Sequence, residues 1–201
     1  MIRAIVAVDE KWGIGKNNDL LFHLPADMKF FRETTLGKVV IMGSNTLKSF
    51  PGGKPLPKRT NIVLYPGGEK RDDCVIVESL DEMRETLRKY EKEDIYVIGG
   101  AMFYRTMLPY CGEALVTKVN ADGEAQVFFE NLDELPEWEC VKIGEPTETD
   151  GKTIRFTTYR NNAVRDFLGE QPPGNTSKEE IDDENLRKER RRGGNQIGQH
   201  D

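Results

Sequence analysis

The sequence predicts an α/β domain with a central, mostly parallel eight-stranded sheet, helices on both faces and an antiparallel C-terminal strand. Helical patterns separate the first five apolar runs of strand length, and such alternation is typical of parallel sheets covered on both sides. No helical pattern separates the later runs, which predicts that the sheet ends with an antiparallel strand. The predicted strands cover residues 2–8, 39–42, 61–65, 74–77, 95–98, 114–119, 140–143 and 154–159.

Three helices are predicted from their start and stop signals. Residues 25–36 begin with a proline, which suits the first turn of a helix. Ser79 and Glu82 form a capping box that begins a helix reaching about residue 89. Residues 101–108 follow a Gly-Gly pair and stop at Pro109, which cannot continue a helix.

The composition excludes several classes of protein. The 201 residues are 37% hydrophobic and 32% charged, whereas about 45–50% (a count that includes Gly) and about 25% are usual, so part of the chain is expected outside the core. No apolar run approaches the ~20 residues that span a bilayer, and no signal peptide is evident, so we expect a cytoplasmic protein. The net charge of -6 disfavours nucleic-acid binding. Cys74, Cys111 and Cys140 are expected to be reduced thiols, and no metal site is predicted.

A change of composition near residue 168 predicts two parts. Residues 1–162 are expected to form the folded domain, and residues 163–201 a C-terminal extension that is largely disordered from about 169. From 169 onward there are three aliphatic residues and no aromatic one, too few to offset the entropy of ordering. A transient charged helix can form over 178–192. Its basic end favours either an acidic partner or nucleic acid, or is a solvated tail that neighbouring acidic residues neutralise.

Glycines follow two predicted strands at the points where helices begin. Gly99 and Gly100 follow the strand at 95–98, and Gly43 follows the strand at 39–42. Glycine lets the backbone approach a ligand closely, and a helix start offers free N–H groups to phosphate. Two such sites favour a dinucleotide across the strand ends, although the spacing is not that of the ordinary Rossmann fingerprint. The alternative is a pair of common strand-to-helix turns.

Two charged side chains and one long connection are further candidates. Asp27 lies in a predicted first helical turn, where it either complements the helix dipole or holds a cationic or amidine-like ring edge from an apolar pocket. Arg59 either clamps a carboxylate or is solvated. Residues 9–21 are loop-like and longer than most connections, which is typical of a mobile lid; an ordinary connection is the alternative.

Taken in order, these segments resemble the dihydrofolate reductase family over about residues 1–160. No single motif decides this, but the set in this order is highly specific. The matching motifs are Gly13-Ile14-Gly15-Lys16, Leu24-Pro25-Ala26-Asp27, Val40-Ile41-Met42-Gly43, Pro55-Leu56-Pro57 with Arg59 and Asn61, Val97-Ile98-Gly99-Gly100, Tyr104 and Thr117.

The resemblance implies roles for individual residues. Asp27 resembles the carboxylate that binds N3 and the 2-amino group of the pterin, Thr117 its hydroxyl partner, and Arg59 the clamp on the glutamate α-carboxylate. The resemblance also places Leu20 and Phe22 among the catalytic residues. The implied substrate pocket is lined by Ile5, Leu20, Met28, Phe31, Phe50, Leu56 and Ile98. The implied cofactor contacts are Ala7, Ile14, Gly43, Ser44, Asn45, Thr46, Leu64, Gly99, Gly100, Ala101, Met102, Phe103 and Tyr104, with a cis Gly99–Gly100 peptide.

The implied activity is NADPH-dependent reduction of 7,8-dihydrofolate to 5,6,7,8-tetrahydrofolate, which supports one-carbon metabolism and thymidylate synthesis. A hydride passes to C6 of the pterin, and N5 takes a proton from water. NADPH is the implied cofactor, dihydrofolate the substrate and antifolates the inhibitors, in a monomer. The segment 9–24 is expected to close over the nicotinamide and exclude water.

Departures from the family pattern alter these expectations. Phe22 and Leu21 stand where the family usually has Trp and Pro, and Phe22 cannot donate the bond that holds an ordered water, so substrate and antifolate affinity are expected to differ. Gln126 stands where many bacterial relatives have an Asp that ties down the lid, which predicts a less stable closed lid.

A further departure concerns the 2′-phosphate of NADPH. Ser44, Tyr65-Pro66 and Met102 stand at positions where the family usually recognises that phosphate with basic or hydroxyl side chains. Weaker discrimination against NADH is therefore expected, unless a nearby cation substitutes. The candidates for that substitution are Lys48, Lys70 and Arg71.

Two other functions compete with this interpretation. A pyrimidine reductase of riboflavin synthesis shares the sheet and the use of NADPH, but its ribose phosphate needs a different clamp from Arg59. A reductase-like binding or scaffold module would use the tail as its working part. Such a module needs none of Asp27, Thr117 and Arg59, and their presence disfavours it.

Overall fold

A computed structural model describes residues 1–169 of the chain. Its strands are β1 (Ile2–Val8), β2 (Gly13–Lys16), β3 (Asp19–Leu20), β4 (Val39–Gly43), β5 (Thr60–Leu64), β6 (Val75–Val77), β7 (Ile95–Val97), β8 (Glu113–Val119), β9 (Val127–Phe128), β10 (Trp138–Ile143), β11 (Thr147–Thr149) and β12 (Lys152–Asn161). Its helices are α1 (Pro25–Thr35), α2 (Ser44–Ser49), α3 (Leu80–Arg88) and α4 (Ala101–Met107), with 3₁₀ turns at Pro51–Gly53, Leu108–Tyr110 and Leu132–Glu134.

One large mixed sheet contains all eight predicted strands. Their spatial order is β10-β12-β8-β1-β7-β4-β5-β6, and β11 adds a short pairing to β12. The pairs from β8 through β1, β7, β4 and β5 to β6 are parallel. Strand β12 is antiparallel to both β8 and β10. The prediction of a mostly parallel sheet with an antiparallel C-terminal strand is confirmed.

The segment 9–21 is not simply a loop, and here the sequence-based prediction was wrong. It contains β2 and β3, which form a small antiparallel sheet with β9. The pairing of Gly13 with Phe128 joins residues far apart in sequence, so no local pattern signals it. A Cβ on Gly13 would lie 2.3 Å from the Ala125 Cβ, so only glycine permits this approach.

Helix starts follow their predicted signals with one variation. The Ser79 side chain caps α3 by accepting a bond from the Glu82 amide at 3.1 Å. The Glu82 carboxylate reaches back to the amide of Glu78, one residue before the expected partner. Helix α1 begins after Leu24 with Pro25 in its first turn, as predicted.

The alternation of side chains along β1 divides the core between the two faces of the sheet. Ala4, Val6 and Val8 belong to the larger core cluster, beneath α3 and α4. Ile5 points to the opposite face, where Val40, Met42 and several aromatic side chains gather. This second face carries most of the predicted substrate pocket.

The described chain continues past the last strand and packs on α3. Phe167 is buried, and its carbonyl accepts a 2.7 Å bond from Arg84 Nε. Arg88 donates to the Leu168 carbonyl. The predicted disorder from about 169 and the charged helix at 178–192 lie outside the described residues. Among the helices within residues 1–169, none is long and apolar enough to cross a membrane.

Candidate functional site

Asp27 lies in the first turn of α1, where its carboxylate faces strand β8. Thr117 of β8 is buried, and its side chain hydrogen-bonds to Asp27. Burial raises the pKa of the Asp27 carboxyl above its ordinary value, and the bond to Thr117 offsets part of that rise. A partly buried carboxyl with one hydroxyl partner has further lone pairs to offer a ligand.

The surroundings of Asp27 are held by two bonds that local sequence patterns did not predict. Thr149 of β11 accepts a 3.2 Å bond from the Ala26 amide, which satisfies one free N–H at the start of α1. Tyr104 donates a 2.7 Å bond to the Ile5 carbonyl, and the Asp27 charge helps burial to raise the pKa of the phenol. These bonds tie the start of α1 to β11, and α4 to β1.

Arg59 immediately precedes β5, and its guanidinium donates hydrogen bonds to three acceptors. Its Nε donates to Thr35 Oγ1 at 3.2 Å, one terminal nitrogen to the Pro57 carbonyl at 2.8 Å, and the other to the Arg32 carbonyl at 3.3 Å. Desolvation and the nearby Arg32 charge lower the pKa of Arg59, because both disfavour its cationic form. A fixed guanidinium beside another cation is suited to an anionic group.

Asn61 fixes the backbone that carries Arg59. Its side chain accepts from the Leu56 amide at 3.0 Å and donates to the Leu56 and Arg59 carbonyls at 2.8 and 3.2 Å. Asn61 itself is buried at 4% exposure, so these bonds are shielded from water. The Arg59 guanidinium is thus preorganised by its own loop.

The predicted apolar walls separate into groups. Phe31, Phe50, Leu56 and Ile98 pack with Ile5 in one cluster on the Asp27 face of the sheet. Phe22 packs instead with Leu24 and Phe156 in a third cluster at the N-terminal start of α1. Met28 lies on α1 and is 53% exposed. Leu20 lies on the small sheet and is 63% exposed.

The two predicted glycine turns meet at the carboxyl ends of β4 and β7. The Gly43 amide donates to the Gly99 carbonyl at 2.8 Å, and the Gly99–Gly100 peptide is cis, as predicted. Helix α2 begins directly after Gly43, and α4 directly after Gly100. A Cβ on Gly99 would lie 3.0 Å from Thr46 Oγ1. The bare backbone and two adjacent helix starts form a cradle that fits a pyrophosphate.

A network of hydrogen bonds ties the lid segment, residues 9–24, to the loop at 120–126. Buried Asp9 accepts bonds from the amides of Lys11, Gly13 and Gly123 at 2.9, 2.7 and 3.0 Å. Gln126 accepts a 3.0 Å bond from the Asn17 amide, so this amide side chain does contact the lid segment. Neither Asp9 nor Thr149 had a local signal, because both act on distant backbone.

Comparisons with known proteins agree with this geometry. The family model described as dihydrofolate reductase matches residues 1–161. The chain belongs to the dihydrofolate reductase family.

Individual relatives show how far the similarity reaches. The dihydrofolate reductase of Bacillus subtilis is 36% identical over 149 residues, which cover 74% of this chain and 86% of that protein. The dihydrofolate reductase of Neisseria gonorrhoeae is 32% identical over 160 residues, or 79% and 96%. A solved dihydrofolate reductase from Enterococcus faecalis, complexed with NADP(H) and RAB-propyl, is 30% identical with a TM-score of 0.71. The match covers 81% of this chain and 96% of the Enterococcus faecalis chain.

Within the dihydrofolate reductase fold, most cofactor residues predicted from the resemblance lie at or near the carboxyl ends of parallel strands or in the helices that follow, whereas Ile14 lies on the small sheet. Ala7 pairs with Thr117, and Ile14 lies on β2. Ser44, Asn45 and Thr46 form the first turn of α2. In α4, which Ala101 begins, Phe103 is buried whereas Met102 is 82% exposed, and Leu64 ends β5 beside the larger core.

Gly99→Ala should destabilise this dihydrofolate reductase by about 1–3 kcal/mol and weaken NADPH binding. Gly99 has φ +130°, which side chains rarely adopt, and the new Cβ would crowd Thr46. Urea unfolding and NADPH titration measure the two effects. Gly37→Ala is the control, because Gly37 has φ +72° and nothing within 4 Å. Equal losses in both variants, with NADPH binding intact, would contradict the close approach.

Asp9→Asn should cost about 1–3 kcal/mol of unfolding free energy. The asparagine oxygen can still accept from the backbone amides of Lys11 and Gly13. Its NH₂ group would face the Gly123 backbone amide, and two donors cannot form a hydrogen bond. Urea unfolding measures the loss, and hydrogen exchange should show faster opening of Gly123. Exposed Asp72 supplies the control, since Asp72→Asn should change stability by less than about 0.5 kcal/mol. An unchanged Gly123 amide would show that Asp9 does not anchor this loop.

Proposed function

We propose that Asp27, with Thr117, holds the pterin ring in the NADPH-dependent reduction of 7,8-dihydrofolate to 5,6,7,8-tetrahydrofolate that this enzyme catalyses. The observation that carries the proposal is a partly buried carboxyl on the helix that adds Phe30 and Phe31 to an apolar cluster, with a raised pKa and a single hydroxyl partner. Such a group can accept paired hydrogen bonds from the N3 and 2-amino edge of the pterin.

Each part of the site then has a chemical task. Bound NADPH supplies the hydride for C6 of the pterin, and the protein supplies position and electrostatics. Asp27 polarises the ring and favours its protonated form, while water is the source of the N5 proton. Arg59, fixed by Thr35 and two carbonyls, binds the glutamate α-carboxylate. The lid segment excludes bulk water from the nicotinamide.

The glycine cradle and the apolar cluster support the placement of the two ligands. Gly99, Gly100 and the first turn of α2 hold the pyrophosphate through backbone N–H groups. Phe31, Phe50 and Leu56 pack around the aminobenzoyl group, on the same face of the sheet as Asp27. Antifolates that mimic the pterin edge compete for Asp27.

The decisive experiment follows the loss of the reduced nicotinamide absorbance with dihydrofolate and NADPH. The full chain and a chain ending at residue 168 should both show turnover. Turnover only with a ribosylated pyrimidine substrate would support the riboflavin-pathway alternative. No turnover, with binding activity that requires residues 169–201, would support the scaffold alternative.

Location and assembly are further proposals. The described cysteines Cys74, Cys111 and Cys140 are free thiols, which supports a cytoplasmic enzyme. We propose that it acts as a monomer, since each proposed ligand contact comes from one chain. Light scattering at the concentrations used for the assay tests the mass of the particle.

A further inference from the structure

The direction of the bound dinucleotide follows from the order of the strands, and this step rests on the proposed function. Asp27 and Thr117 place the pterin beside β8 and β1, so the nicotinamide lies on that side of the cradle. The cradle itself is at the ends of β7 and β4. The adenosine half therefore extends toward β5 and β6, and any group that recognises its 2′-phosphate must lie there.

Of the three candidate cations Lys48, Lys70 and Arg71, the last two already have protein partners. Lys70 donates to the Ile76 carbonyl at 2.9 Å and pairs with Glu82 at 3.3 Å. Arg71 forms two 2.7 Å bonds to the Asp73 carboxylate and a third to the Gly53 carbonyl. The Asp73 carboxylate neutralises the Arg71 charge, which leaves this guanidinium little attraction for a phosphate.

Lys48 is differently placed. It lies on α2 one turn after Ser44, so the two side chains share a helix face, and it is exposed. Its Nζ lies 4.5 Å from the centroid of the Tyr65 ring. Within residues 1–169, no carboxylate pairs with Lys48. Contact with a ring face orients the ammonium but leaves its N–H donors free for an anion.

Tyr65, which positions the ammonium, is itself fixed. Its amide donates to the Val77 carbonyl at 2.8 Å, and its carbonyl accepts from Gly68 at 2.9 Å. A Cβ on Gly68 would lie 2.5 Å from the Tyr65 ring, so the glycine allows the turn to close against the tyrosine. The ring is thus a rigid support at the end of β5.

We propose that Lys48, held over Tyr65 and one turn from Ser44, supplies the positive charge that recognises the 2′-phosphate of NADPH. A compact ammonium binds phosphate as a point charge. The exposed position makes the contribution moderate and dependent on salt. The lost basic residue at position 44 is thereby replaced from the next turn of the same helix.

The test is calorimetric titration of the full chain with NADPH and with NADH, without folate. Lys48→Gln should weaken NADPH binding roughly tenfold, or about 1.4 kcal/mol, and change NADH binding less than about twofold. Lys48→Arg should retain most of the NADPH affinity. Lys70→Gln is the matched control and should leave the NADPH-to-NADH ratio unchanged.

Three results would overturn the inference. They share an unchanged NADPH-to-NADH ratio in Lys48→Gln, and differ in whether neither affinity changes, both fall equally, or the ratio shifts in Lys70→Gln instead. Normal dihydrofolate turnover by the unmodified chain would then confine the failure to Lys48. An unmodified chain that binds neither cofactor would overturn the proposed function and this inference together.

Discussion

Asp27→Asn should lower kcat/KM for dihydrofolate by roughly 100-fold or more at neutral pH, in the range seen when a charge-stabilising group is removed. An asparagine can fill the space and bond to Thr117, but it carries no charge to favour the protonated pterin. Steady-state kinetics of the purified variant measure the effect. Unchanged kinetics would remove Asp27 from the site, and Asp72→Asn serves as the control for a neutralised exposed carboxylate.

The same variant should be more stable than the unmodified chain at neutral pH. Burial raises the pKa of the Asp27 carboxyl in the folded chain, so between the unfolded and folded pKa values the folded chain binds more protons. Stability contributed by this group therefore falls as pH rises through that window. Asparagine does not titrate. The stability gain of Asp27→Asn over the unmodified chain should therefore appear as pH rises from the unfolded to the folded pKa of Asp27, and it should vanish in acid. Urea unfolding across that range tests the sign.

Arg59→Gln should raise KM for dihydrofolate roughly 100-fold while kcat changes less than about threefold. The glutamate carboxylate is remote from the reacting atoms, so its loss weakens the ground and transition states alike. Arg59→Lys should recover little, because a lysine cannot reproduce the planar fork that bonds Thr35, Pro57 and Arg32.

Dihydropteroate, which lacks the glutamate, is the matched substrate control for Arg59. Its kcat/KM should be similar in the unmodified enzyme and in Arg59→Gln. A parallel loss with both substrates would mean that the substitution damages the loop around Asn61 rather than a carboxylate contact.

The main sheet and its helices could be predicted because their signals are local. Apolar runs such as 39–42 are buried on both faces, and the Ser79 cap and Pro25 mark helix starts within a few residues. The glycines after β4 and β7 likewise stand next to the helices that they precede. These features depend on neighbours in the chain, which a single sequence displays.

The missed features depend on residues that are distant in the chain. Strand β2 is completed by β9, more than a hundred positions later, so that pairing has no local signal. Its hairpin with β3 is the exception, because Asn17-Asn18, both with positive φ, is a local turn signal that was missed. The Thr149 bond to Ala26 and the Asp9 bond to Gly123 span similar separations. The choice among Lys48, Lys70 and Arg71 also required the fold, since the Ile76 and Gly53 carbonyls that accept from Lys70 and Arg71 are not adjacent to them in the sequence.

The most direct test of the account follows one atom from cofactor to product. NADPH carrying deuterium at both C4 positions of the nicotinamide is incubated with dihydrofolate and the enzyme, and the folate product is analysed by mass spectrometry and NMR. The account predicts tetrahydrofolate with one deuterium at C6. Tetrahydrofolate without deuterium at C6, or oxidation of NADPH without tetrahydrofolate, would contradict it.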